Sequence, residues 1–400
     1  MVQNGGKGDR LKVISIIPAR GGSKGIKNKN LKRVGGETLI ERAIGASNGS
    51  TQIVKCYVTS DSEQILNLSS LAGATPIERP LDLSTDESPT ETALLHALEQ
   101  IKAVSELPEL TVLIQCTSPF ISPTDLDLAI QFLIDHPEYN SAFSVVRTHS
   151  FLWKQNDLEL MGINHTGVKR LRRQECETQF LETGAFYIFR TSKFLESGSR
   201  FNQPMHPFEV SQLSSIEIDS DEDLAIAKII SPHVGNQKLK FWPKVVVTDF
   251  DGVHTNDKVM IDESGKESVL VSRSDGFGVG LLKKMGITVL ILSSERNKVV
   301  TARANKLGIE CIQSSESKAA DLEVWLSKHG FNFSDVLYLG NDLNDLDVMK
   351  RVGFSVAVKN ANPEVLIQAD FILDSCGGEN AVREMTELVK QNLGMKWSQK

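Results

Sequence analysis

The sequence predicts an α/β protein with two wound three-layer domains, each a mostly parallel sheet covered by helices. Short apolar runs alternate with helical patterns through both halves, as they do where helices join parallel strands. The 400 residues also exceed the size at which one hydrophobic core usually stops growing. The pattern breaks around Pro232 to Pro243. We therefore expect domains at residues 11–232 and 244–394, joined by a linker at 233–243.

The first half contains five apolar runs of strand length and three helical segments. The clearest helix is Thr90–Val104, because its apolar residues recur every three or four positions and share one face. The expected strands are Val13–Ile17, Ile53–Thr59, Leu110–Gln115, Ala142–Val146 and Ala185–Phe189. The expected helices are Leu39–Ala46, Thr90–Val104 and Pro123–Ile134, the last with proline in its first turn.

A second alternation begins with a strand at Val245. Further strands are expected at Ile287–Leu292, Val336–Leu339, Phe354–Val358 and Phe371–Leu373. The helices between them should end at Gly286, Gly308, Gly330 and Gly353, where glycine can adopt the left-handed cap. Between the first strand and its helix, Lys258–Ser272 alternates around Glu263-Ser264-Gly265, which predicts a β-hairpin flap.

The composition argues against several classes of partner. A net charge of −7 disfavours nonspecific binding to nucleic acid or to anionic membranes. The five cysteines lie far apart without metal-binding spacing, as expected for reduced thiols. No apolar run approaches the roughly 18 to 20 residues that span a bilayer, and Met1 to Arg10 does not resemble a signal peptide. We therefore expect a cytoplasmic protein.

A glycine-rich basic loop, Arg20-Gly21-Gly22-Ser23-Lys24-Gly25, follows the first strand. Six cations and no acid lie between Arg20 and Arg33, although the chain as a whole is acidic. Glycine lets backbone N–H groups approach phosphate oxygens, and Arg20, Lys24 and Lys29 can neutralise a triphosphate. The Walker A pattern is absent, so ATP hydrolysis of the P-loop type is disfavoured. The loop predicts nucleotide binding, with a solvated basic loop as the alternative.

Later segments add polar groups that suit the same ligand. They include Gln115, Thr117 and Ser118 at a strand end, and the cationic run Arg172-Arg173-Gln174. Ser215–Asp219 alternates, which predicts a strand with Glu217 and Asp219 on one face. Two such carboxylates suit a Mg²⁺ ion that also takes phosphate oxygens. A solvent-facing acidic strand edge is the alternative.

The second half opens with an Asp-x-Asp pair at the end of a buried strand. Asp249 and Asp251 project the same way, so one can attack phosphorus while the other serves as acid and base. Mg²⁺ would offset the crowded negative charge. Polar residues at later strand ends or helix starts support this chemistry: Ser293, Ser294, Lys318, Asn341, Asp342 and Asp345.

The first-half motifs resemble the signature blocks of the acylneuraminate cytidylyltransferases, also called CMP-sialic acid synthetases. The matching blocks are Ile17–Ile26 with Lys29-Asn30-Leu31, Gln115–Pro119, Arg172–Gln174 and Ile216–Asp219. The resemblance runs from about residue 12 to residue 228. It implies a Rossmann-like nucleotidyltransferase domain. Its reaction would transfer CMP from CTP to the anomeric hydroxyl of a nine-carbon 2-keto sugar acid, releasing pyrophosphate.

The resemblance also implies roles for individual residues. The triphosphate and cytosine would be held by Arg20, Gly22, Ser23, Lys24, Lys29 and Asn30, with Arg20 and Lys29 also acting in catalysis. Sugar or nucleotide contacts would come from Gln115, Thr117, Ser118, Arg173, Gln174 and Tyr187. Mg²⁺ would bind Glu217 and Asp219. Three positions depart from the family pattern. Cys116 stands where proline is common, and Glu217 replaces an aspartate, which changes the reach of the metal ligand by one methylene. Thr183-Gly184 replaces the usual Asn-Gly near the sugar, which leaves the choice of sugar acid open.

The second half resembles haloacid-dehalogenase-superfamily phosphatases that act on octulosonic 8-phosphate or nonulosonic 9-phosphate. This implies Asp249 as nucleophile, Asp251 as acid and base, Ser294 as phosphate binder and Lys318 as charge stabiliser. The implied metal residues are Asp249, Asp251, Asn341 and Asp342, with Asp345 in the same motif. Asn341 stands where an aspartate is common, so the ligating residue among the last three stays open.

Three hypotheses follow. In the first, the phosphatase domain frees a sugar acid from its 9-phosphate and the first domain activates it. In the second, the C-terminal domain is an inactive assembly module, as in the animal cytidylyltransferases that the arrangement also resembles; a homotetramer through this domain is implied. In the third, the substrate is an eight-carbon acid. All three take CTP and a sugar acid as small-molecule substrates and Mg²⁺ as cofactor.

Overall fold

The computed structural model describes residues 12–22, 25–85, 87–165, 172, 177–234 and 239–392. The strands of the first half of the chain are β1 (Val13–Pro18), β2 (Arg33–Val34), β3 (Glu37–Thr38), β4 (Lys55–Ser60), β5 (Thr75–Glu78), β6 (Leu110–Ile114), β7 (Ser141–Thr148), β8 (Trp153–Asn156), β9 (Glu159–Gly162), β10 (Gln179–Arg190) and β11 (Met205–Glu209). They are followed by β12 (Val245–Thr248), β13 (Met260–Ile261), β14 (Glu267–Ser268), β15 (Thr288–Leu292), β16 (Glu310–Ile312), β17 (Val336–Gly340), β18 (Phe354–Ala357) and β19 (Phe371–Ile372).

The helices are α1 (Leu39–Gly49), α2 (Glu63–Leu71), α3 (Thr90–Val104), α4 (Pro123–Asp135), α5 (Thr191–Ser197), α6 (Asp221–Ile230), α7 (Arg273–Lys284), α8 (Lys298–Leu307), α9 (Lys318–His329), α10 (Leu346–Met349), α11 (Pro363–Gln368) and α12 (Ala381–Asn392). The predicted α/β class is confirmed. Each predicted strand and helix overlaps an observed one, with the exception of the strand expected at Ser215–Asp219.

The chain divides into two compact units. The first comprises residues up to Lys32 together with Leu39–Ser220, and the second comprises Arg33–Thr38 with residues from Asp221 onward. The β2–β3 ribbon thus belongs to the second unit, where the Gly36 N–H donates to the Asp370 carbonyl oxygen at 2.9 Å. The domain limits predicted from the sequence remain predictions.

The first unit is built on a seven-stranded sheet with the order β11-β7-β10-β6-β1-β4-β5. Neighbouring strands are parallel except β10, which runs antiparallel to both β6 and β7. Ile14 and Ile16 of β1 belong to the same buried cluster as Leu94 and Leu98 of α3. Because parallel strands share their direction, the residues that follow β1, β4 and β6 meet at one edge of the sheet.

A bulge interrupts β10. Glu182 pairs with Val145, but the next pair joins Tyr187 to Phe143, so four residues of β10 lie opposite Ser144 alone. The Ser144 hydroxyl bridges this bulge: it donates to the Phe186 carbonyl oxygen at 3.2 Å and accepts from the Phe186 N–H at 3.1 Å. Bulges commonly re-aim side chains beside a functional site.

The strand predicted at Ser215–Asp219 is wrong. Gln212–Ser215 forms a short 3₁₀ helix, and residues 216–219 are irregular. The segment lies along the loop after β6, where the Ile218 N–H donates to the Thr117 carbonyl oxygen at 2.8 Å. Ile218 is fully buried while Glu217 and Asp219 are exposed, so the predicted alternation of faces holds without a sheet ladder.

The second unit contains a six-stranded, fully parallel sheet with the order β16-β15-β12-β17-β18-β19. The central strand β12 is buried on both faces, which explains its continuous apolar run Val245-Val246-Val247. Asp249, Ser293 and Asn341 follow β12, β15 and β17. These three strands are adjacent and parallel, so their polar ends lie at one edge of the sheet.

The predicted flap is present as an antiparallel pair, with Met260 opposite Ser268 and Ile261 opposite Glu267. Its turn contains Gly265 at φ +77°, a backbone conformation that favours glycine. Gly286, Gly308 and Gly330 adopt positive φ after their helices, as predicted.

Gly353 does not adopt the predicted left-handed conformation, since it is absent from the positive-φ glycines of the described chain. Close packing explains the glycine at this position instead, because a Cβ atom there would lie 2.4 Å from the Ser334 carbonyl oxygen. Separately, none of the helices that the structure describes has the length and apolar character that a membrane span requires.

Candidate active sites

A cleft of about 300 Å³ opens at the carboxyl edge of the first sheet. It lies beside the ends of β1 and β6 and the start of α3, the position at which open α/β sheets usually bind ligands. Its charged and polar lining consists of Arg20, Lys29, Asn30, Arg79, Ser84, Thr85, Ser88, Thr90, Gln115 and Thr117. Three cations and no carboxylate face the cleft from this lining, which suits an anionic ligand.

The glycine-rich loop is held at its first two residues by hydrogen bonds to Asp61 and Asn30. The Gly21 N–H donates to Asp61 Oδ1 at 2.9 Å, and Asn30 Nδ2 donates to the Arg20 carbonyl oxygen at 2.9 Å. Gly25 is required for close packing, because a Cβ atom there would lie 2.6 Å from the Asp219 carbonyl oxygen. Gly22 is exposed. Ser23 and Lys24, also predicted as phosphate contacts, lie outside the described residues.

The cleft cations are placed by specific contacts. Arg20 Nη1 donates to the Thr85 carbonyl oxygen at 3.2 Å. Lys29 Nζ donates to the Ile218 carbonyl oxygen at 3.0 Å and pairs with Asp219 Oδ1 at 3.1 Å. The loop after β1 is thereby tied to the segment that carries the predicted metal carboxylates.

Arg79 is a site residue that the sequence reasoning missed. Its side chain is only 5% exposed, lies 3.9 Å from Asp61 Oδ1 and donates from Nε to Ser84 Oγ at 2.9 Å. Burial lowers the pKa of this guanidinium and Asp61 opposes the change, so Arg79 stays charged. Its position directly after β5, at the edge where the other site residues lie, was the available signal.

Glu217 and Asp219 stand together at the cleft edge. Partial burial and the neighbouring Asp219 raise the pKa of Glu217, whereas the hydrogen bond from Thr117 Oγ1 at 3.1 Å opposes the rise. Such mutual repulsion between carboxylates is relieved by a divalent cation, so this pair fits Mg²⁺. Gly184, in the β10 bulge at φ +70°, lies against Glu217 and Gln115, where a Cβ atom would approach their side-chain oxygens to 3.0–3.1 Å.

Two of the residues predicted to contact the sugar or nucleotide, Ser118 and Tyr187, are buried. Tyr187 is 3% exposed, and its hydroxyl donates to Glu182. The Ser118 hydroxyl is buried and has no hydrogen-bond partner among the described residues. Thr183 turns away from the cleft and donates to Ser144 Oγ at 2.7 Å, so this departure from the family pattern is absorbed by the bulge. Arg173 and Gln174 lie outside the described residues.

In the second unit, one lysine joins two buried carboxylates. Lys318 Nζ lies 2.9 Å from Asp249 Oδ1 and 2.7 Å from Asp345 Oδ1, and all three side chains are at most 7% exposed. Burial alone would lower the pKa of Lys318, but the two carboxylates outweigh this and raise it, so the lysine is charged. Burial and Asp345 raise the pKa of Asp249 to about 7, while Lys318 opposes the rise.

Asp345 connects Lys318 to the loop after β17. Its Oδ1 accepts from Lys318 Nζ and from the Tyr338 hydroxyl at 2.5 Å, and its Oδ2 accepts from the Asn341 and Asp342 N–H groups. Four donors therefore occupy both of its oxygens. Among the three residues left open by the sequence, this geometry favours a positioning role for Asp345 over metal ligation.

The oxygens that fit a Mg²⁺ ion lie around Asn341. One polar atom of its amide lies 2.9 Å from the Asp251 carbonyl oxygen and 3.1 Å from Asp249 Oδ2. In a Mg²⁺ octahedron with bonds of 2.0–2.1 Å, neighbouring oxygens stand about 3 Å apart, so the side-chain oxygen of Asn341 can complete such a face. The predicted contribution of Asp251 would then come from its backbone. Within the described ranges, no group of three or more His, Cys, Asp or Glu side chains is placed so that these side chains alone could hold a metal ion.

The remaining phosphatase residues lie at the mouth of the site. Ser294 is exposed, and its hydroxyl accepts from Asn344 Nδ2 at 3.3 Å. Asp342 is also exposed, and its side chain caps the following 3₁₀ helix: Oδ1 accepts from the Leu343 N–H at 2.8 Å, and the carboxylate also accepts from the Asp345 N–H. Burial and then Glu295 raise the pKa of Asp251, as suits an acid and base. The sequence reasoning missed Glu295, an exposed carboxylate one residue after Ser294.

Family models match regions in both halves of the chain. A family model described as cytidylyltransferase matches residues 14–238, and one described as haloacid dehalogenase-like hydrolase matches residues 288–385. The 3-deoxy-D-manno-octulosonate 8-phosphate phosphatase of Salmonella typhimurium is 32% identical over 161 residues, which cover 40% of this chain and 85% of that protein.

Two animal relatives align along almost the whole chain. The N-acylneuraminate cytidylyltransferase of Oncorhynchus mykiss is 30% identical over 394 residues, covering 95% of this chain and 89% of that protein. The N-acylneuraminate cytidylyltransferase A of Danio rerio is 29% identical over 384 residues, covering 94% and 88%. With a cytidylyltransferase cleft in its first unit and a phosphatase-type aspartate and lysine in its second, the chain belongs to the N-acylneuraminate cytidylyltransferase family and carries a haloacid dehalogenase-like hydrolase region.

Proposed function

We propose that the chain is bifunctional: its second unit hydrolyses the 9-phosphate of a nonulosonic acid, and its first unit transfers CMP from CTP to the freed acid. The observation that carries this proposal is that one chain contains both the set Asp249, Lys318 and Asp345 in its second unit and a cationic cleft in its first. The phosphatase relatives supply the class of phosphate ester, a 2-keto sugar acid phosphate.

In the first unit, the cleft would bind and orient CTP. Gly21 and Gly22 would leave room for the triphosphate, while Arg20, Lys29 and Arg79 would balance its charge. Glu217 and Asp219 would hold Mg²⁺, which when bound stabilises charge on the α-phosphate. As the sugar hydroxyl attacks the α-phosphorus, the bond to pyrophosphate breaks, CMP is transferred and the hydroxyl proton is lost to solvent. Asn30 would fix the loop, and Gln115 and Thr117 would orient the two substrates.

In the second unit, Asp249 would attack the phosphorus of the ester and form an aspartyl phosphate. Asp251 would give its proton to the leaving sugar oxygen, then take a proton from the water that hydrolyses the aspartyl phosphate. Lys318 would neutralise the transferred phosphoryl group, and Ser294 would hold one of its oxygens. Mg²⁺, held by Asp249, the Asp251 carbonyl oxygen and Asn341, would favour the ionised form of Asp249.

Phosphorus NMR on the purified protein with Mg²⁺, CTP and a nonulosonic acid 9-phosphate tests both steps together. We expect inorganic phosphate first, followed by pyrophosphate and a CMP-sugar. Lys29→Met should keep the phosphate signal and lose the pyrophosphate signal, which separates the two sites. An intact phosphate ester, with pyrophosphate formed only from the unphosphorylated acid, would refute the phosphatase half and leave the first unit as the enzyme.

An eight-carbon substrate is tested in the same experiment by offering an octulosonic acid and its 8-phosphate. The nine-carbon acid should react faster because the whole-chain relatives are named for acylneuraminate. A preference for the eight-carbon acid in the CMP transfer step would replace our substrate assignment.

The alternative role of the second unit, subunit assembly, also has an observation in its favour. The flap exposes apolar side chains, with Met260 70%, Ile261 60% and Leu270 77% exposed. We therefore propose a cytoplasmic homotetramer whose contacts include the flap, which is compatible with catalysis. Light scattering should give four times the chain mass, and Ile261→Glu should lower it. An unchanged mass would remove the flap from the interface.

A further inference from the structure

The Asn341 side chain occupies a fixed position beneath the nucleophile. Gly252, at φ +73°, leaves room for this side chain, because a Cβ atom there would lie 2.0 Å from the Asn341 amide group. On the other side, the loop is held by the Asn341 N–H bond to Asp345 Oδ2 at 2.8 Å and by the Asn362 N–H, which donates to the Asn341 carbonyl oxygen at 2.8 Å. The amide can therefore rotate about its last bond but has little room to move away.

The two orientations of this amide have opposite consequences. With nitrogen toward the nucleophile, it donates to the Asp251 carbonyl oxygen at 2.9 Å and to Asp249 Oδ2 at 3.1 Å. With oxygen in the same place, the amide oxygen would lie at these distances from two other oxygens. Without a cation, these oxygens repel one another. When Mg²⁺ is bound, the same distances match the edges of its coordination octahedron, which are about 3 Å long.

We propose that the Asn341 amide is a metal-responsive latch: its nitrogen holds Asp249 and the Asp251 carbonyl when the site is metal-free, and its oxygen turns inward as a ligand when Mg²⁺ binds. This rests on the Mg²⁺-dependent phosphatase proposed above. Binding requires two hydrogen bonds to be broken and supplies a neutral ligand, so the site binds Mg²⁺ more weakly than an aspartate at position 341 would.

The same geometry predicts that the metal-free site is more stable with a neutral residue at position 341 than with an acid. Asp249 and Asp345 already place two carboxylates around one lysine. An aspartate at position 341 has no hydrogen to donate, so it would add a third carboxylate against Asp249 Oδ2. The latch thus stabilises the metal-free protein and reduces its metal affinity.

The test compares the full-length wild type with Asn341→Asp, using Asp347→Asn as a matched control because Asp347 is exposed on the following helix. Calorimetric titration with Mg²⁺ should give at least about tenfold tighter binding for Asn341→Asp. In EDTA its melting temperature should fall below the wild type, and saturating Mg²⁺ should remove that deficit. Asp347→Asn should match the wild type in each measurement.

A melting temperature of Asn341→Asp equal to or above the wild type in EDTA would overturn the latch, as would unchanged Mg²⁺ affinity. A wild type that binds no Mg²⁺ would refute the proposed metal-dependent phosphatase, while the comparison in EDTA would still test the donated hydrogen bonds.

A direct measurement guards against a variant that fails to fold. In wild-type protein labelled with ¹⁵N at asparagine, the Asn341 side-chain NH₂ signals, assigned with Asn341→Ser, should shift and exchange faster when Mg²⁺ is added. The same signals unchanged at saturating Mg²⁺ would show that the amide does not turn, and the latch would be wrong.

Discussion

Asp249→Asn tests the proposed phosphatase chemistry and the electrostatics of its site in one variant. Asparagine keeps the shape of the side chain and can still accept a hydrogen bond from Lys318, but its amide oxygen is a poor nucleophile. Phosphate release should fall by about 10⁴-fold or more, because removing a nucleophile usually costs at least this factor. CMP transfer from the unphosphorylated acid should be unchanged, since Asp249 belongs to the second unit.

The structure also predicts the effect on stability. Burial and Asp345 raise the pKa of Asp249 from 3.8 to about 7. Each pKa unit is worth about 1.4 kcal/mol, so the folded site disfavours the ionised carboxylate by about 4 kcal/mol, taking three units. The folded state binds this proton more tightly than the unfolded state does. The contribution of Asp249 is therefore fully present below pH 3.8 and is lost as pH rises through 7.

The assay is hydrogen exchange of the β12 and β17 amides in EDTA, which reports the unfolding free energy of the second unit by itself. Asp249→Asn should match the wild type near pH 4 and exceed it by up to about 4 kcal/mol at pH 8. Asp347→Asn, at an exposed position, should follow the wild type at both pH values. A variant that is no more stable than the wild type at pH 8 would refute the burial argument, and persistent phosphate release would refute the nucleophile.

Three further predictions concern other parts of the two sites. Lys318→Met should reduce phosphate release by at least about 10²-fold and destabilise the second unit by about 3–5 kcal/mol, because it leaves two buried carboxylates unpaired; normal stability by hydrogen exchange would contradict this. Arg79→Gln should raise the KM for CTP by roughly 10- to 100-fold through loss of a charge-assisted bond, and an unchanged KM would remove Arg79 from the site. Gly184→Ala should lower the free energy of unfolding by about 1–2 kcal/mol because of its positive φ, and it should slow pyrophosphate release. The control is Gly198→Ala, which is also at positive φ but has open space around it. Equal pyrophosphate rates in the two variants would contradict the role of Gly184.

The sequence was sufficient for the framework of both sites, because strand ends and local motifs carry most of it. The basic loop after β1 and the Asp249–Asp251 pair after β12 lie where the alternation of strands and helices predicts. The start of a helix at Lys318 was also predicted. These features depend on residues close together in the chain.

Features that depend on distant residues were not predicted. Asp345 occurs in a motif that suggests a metal ligand, but its oxygens are taken by Tyr338, Lys318 and two backbone N–H groups, which only the folded chain brings together. Residues 216–219 alternate like a strand because Ile218 is buried, yet a single hydrogen bond to Thr117 replaces a ladder. Gly353 faces the Ser334 carbonyl oxygen, a contact that no local pattern encodes.

The bulge in β10 separates two requirements that usually compete within a strand. The hydrogen-bonded ladder needs a fixed register, and Glu182 and Tyr187 keep it on either side. The residues between them are free of that register, and Ser144 supports them from the next strand. Gly184 can therefore adopt its positive φ against Glu217 and Gln115 while the sheet keeps its register on both sides. One strand thus serves both the sheet and the site, and the change between these roles is confined to residues 183–186.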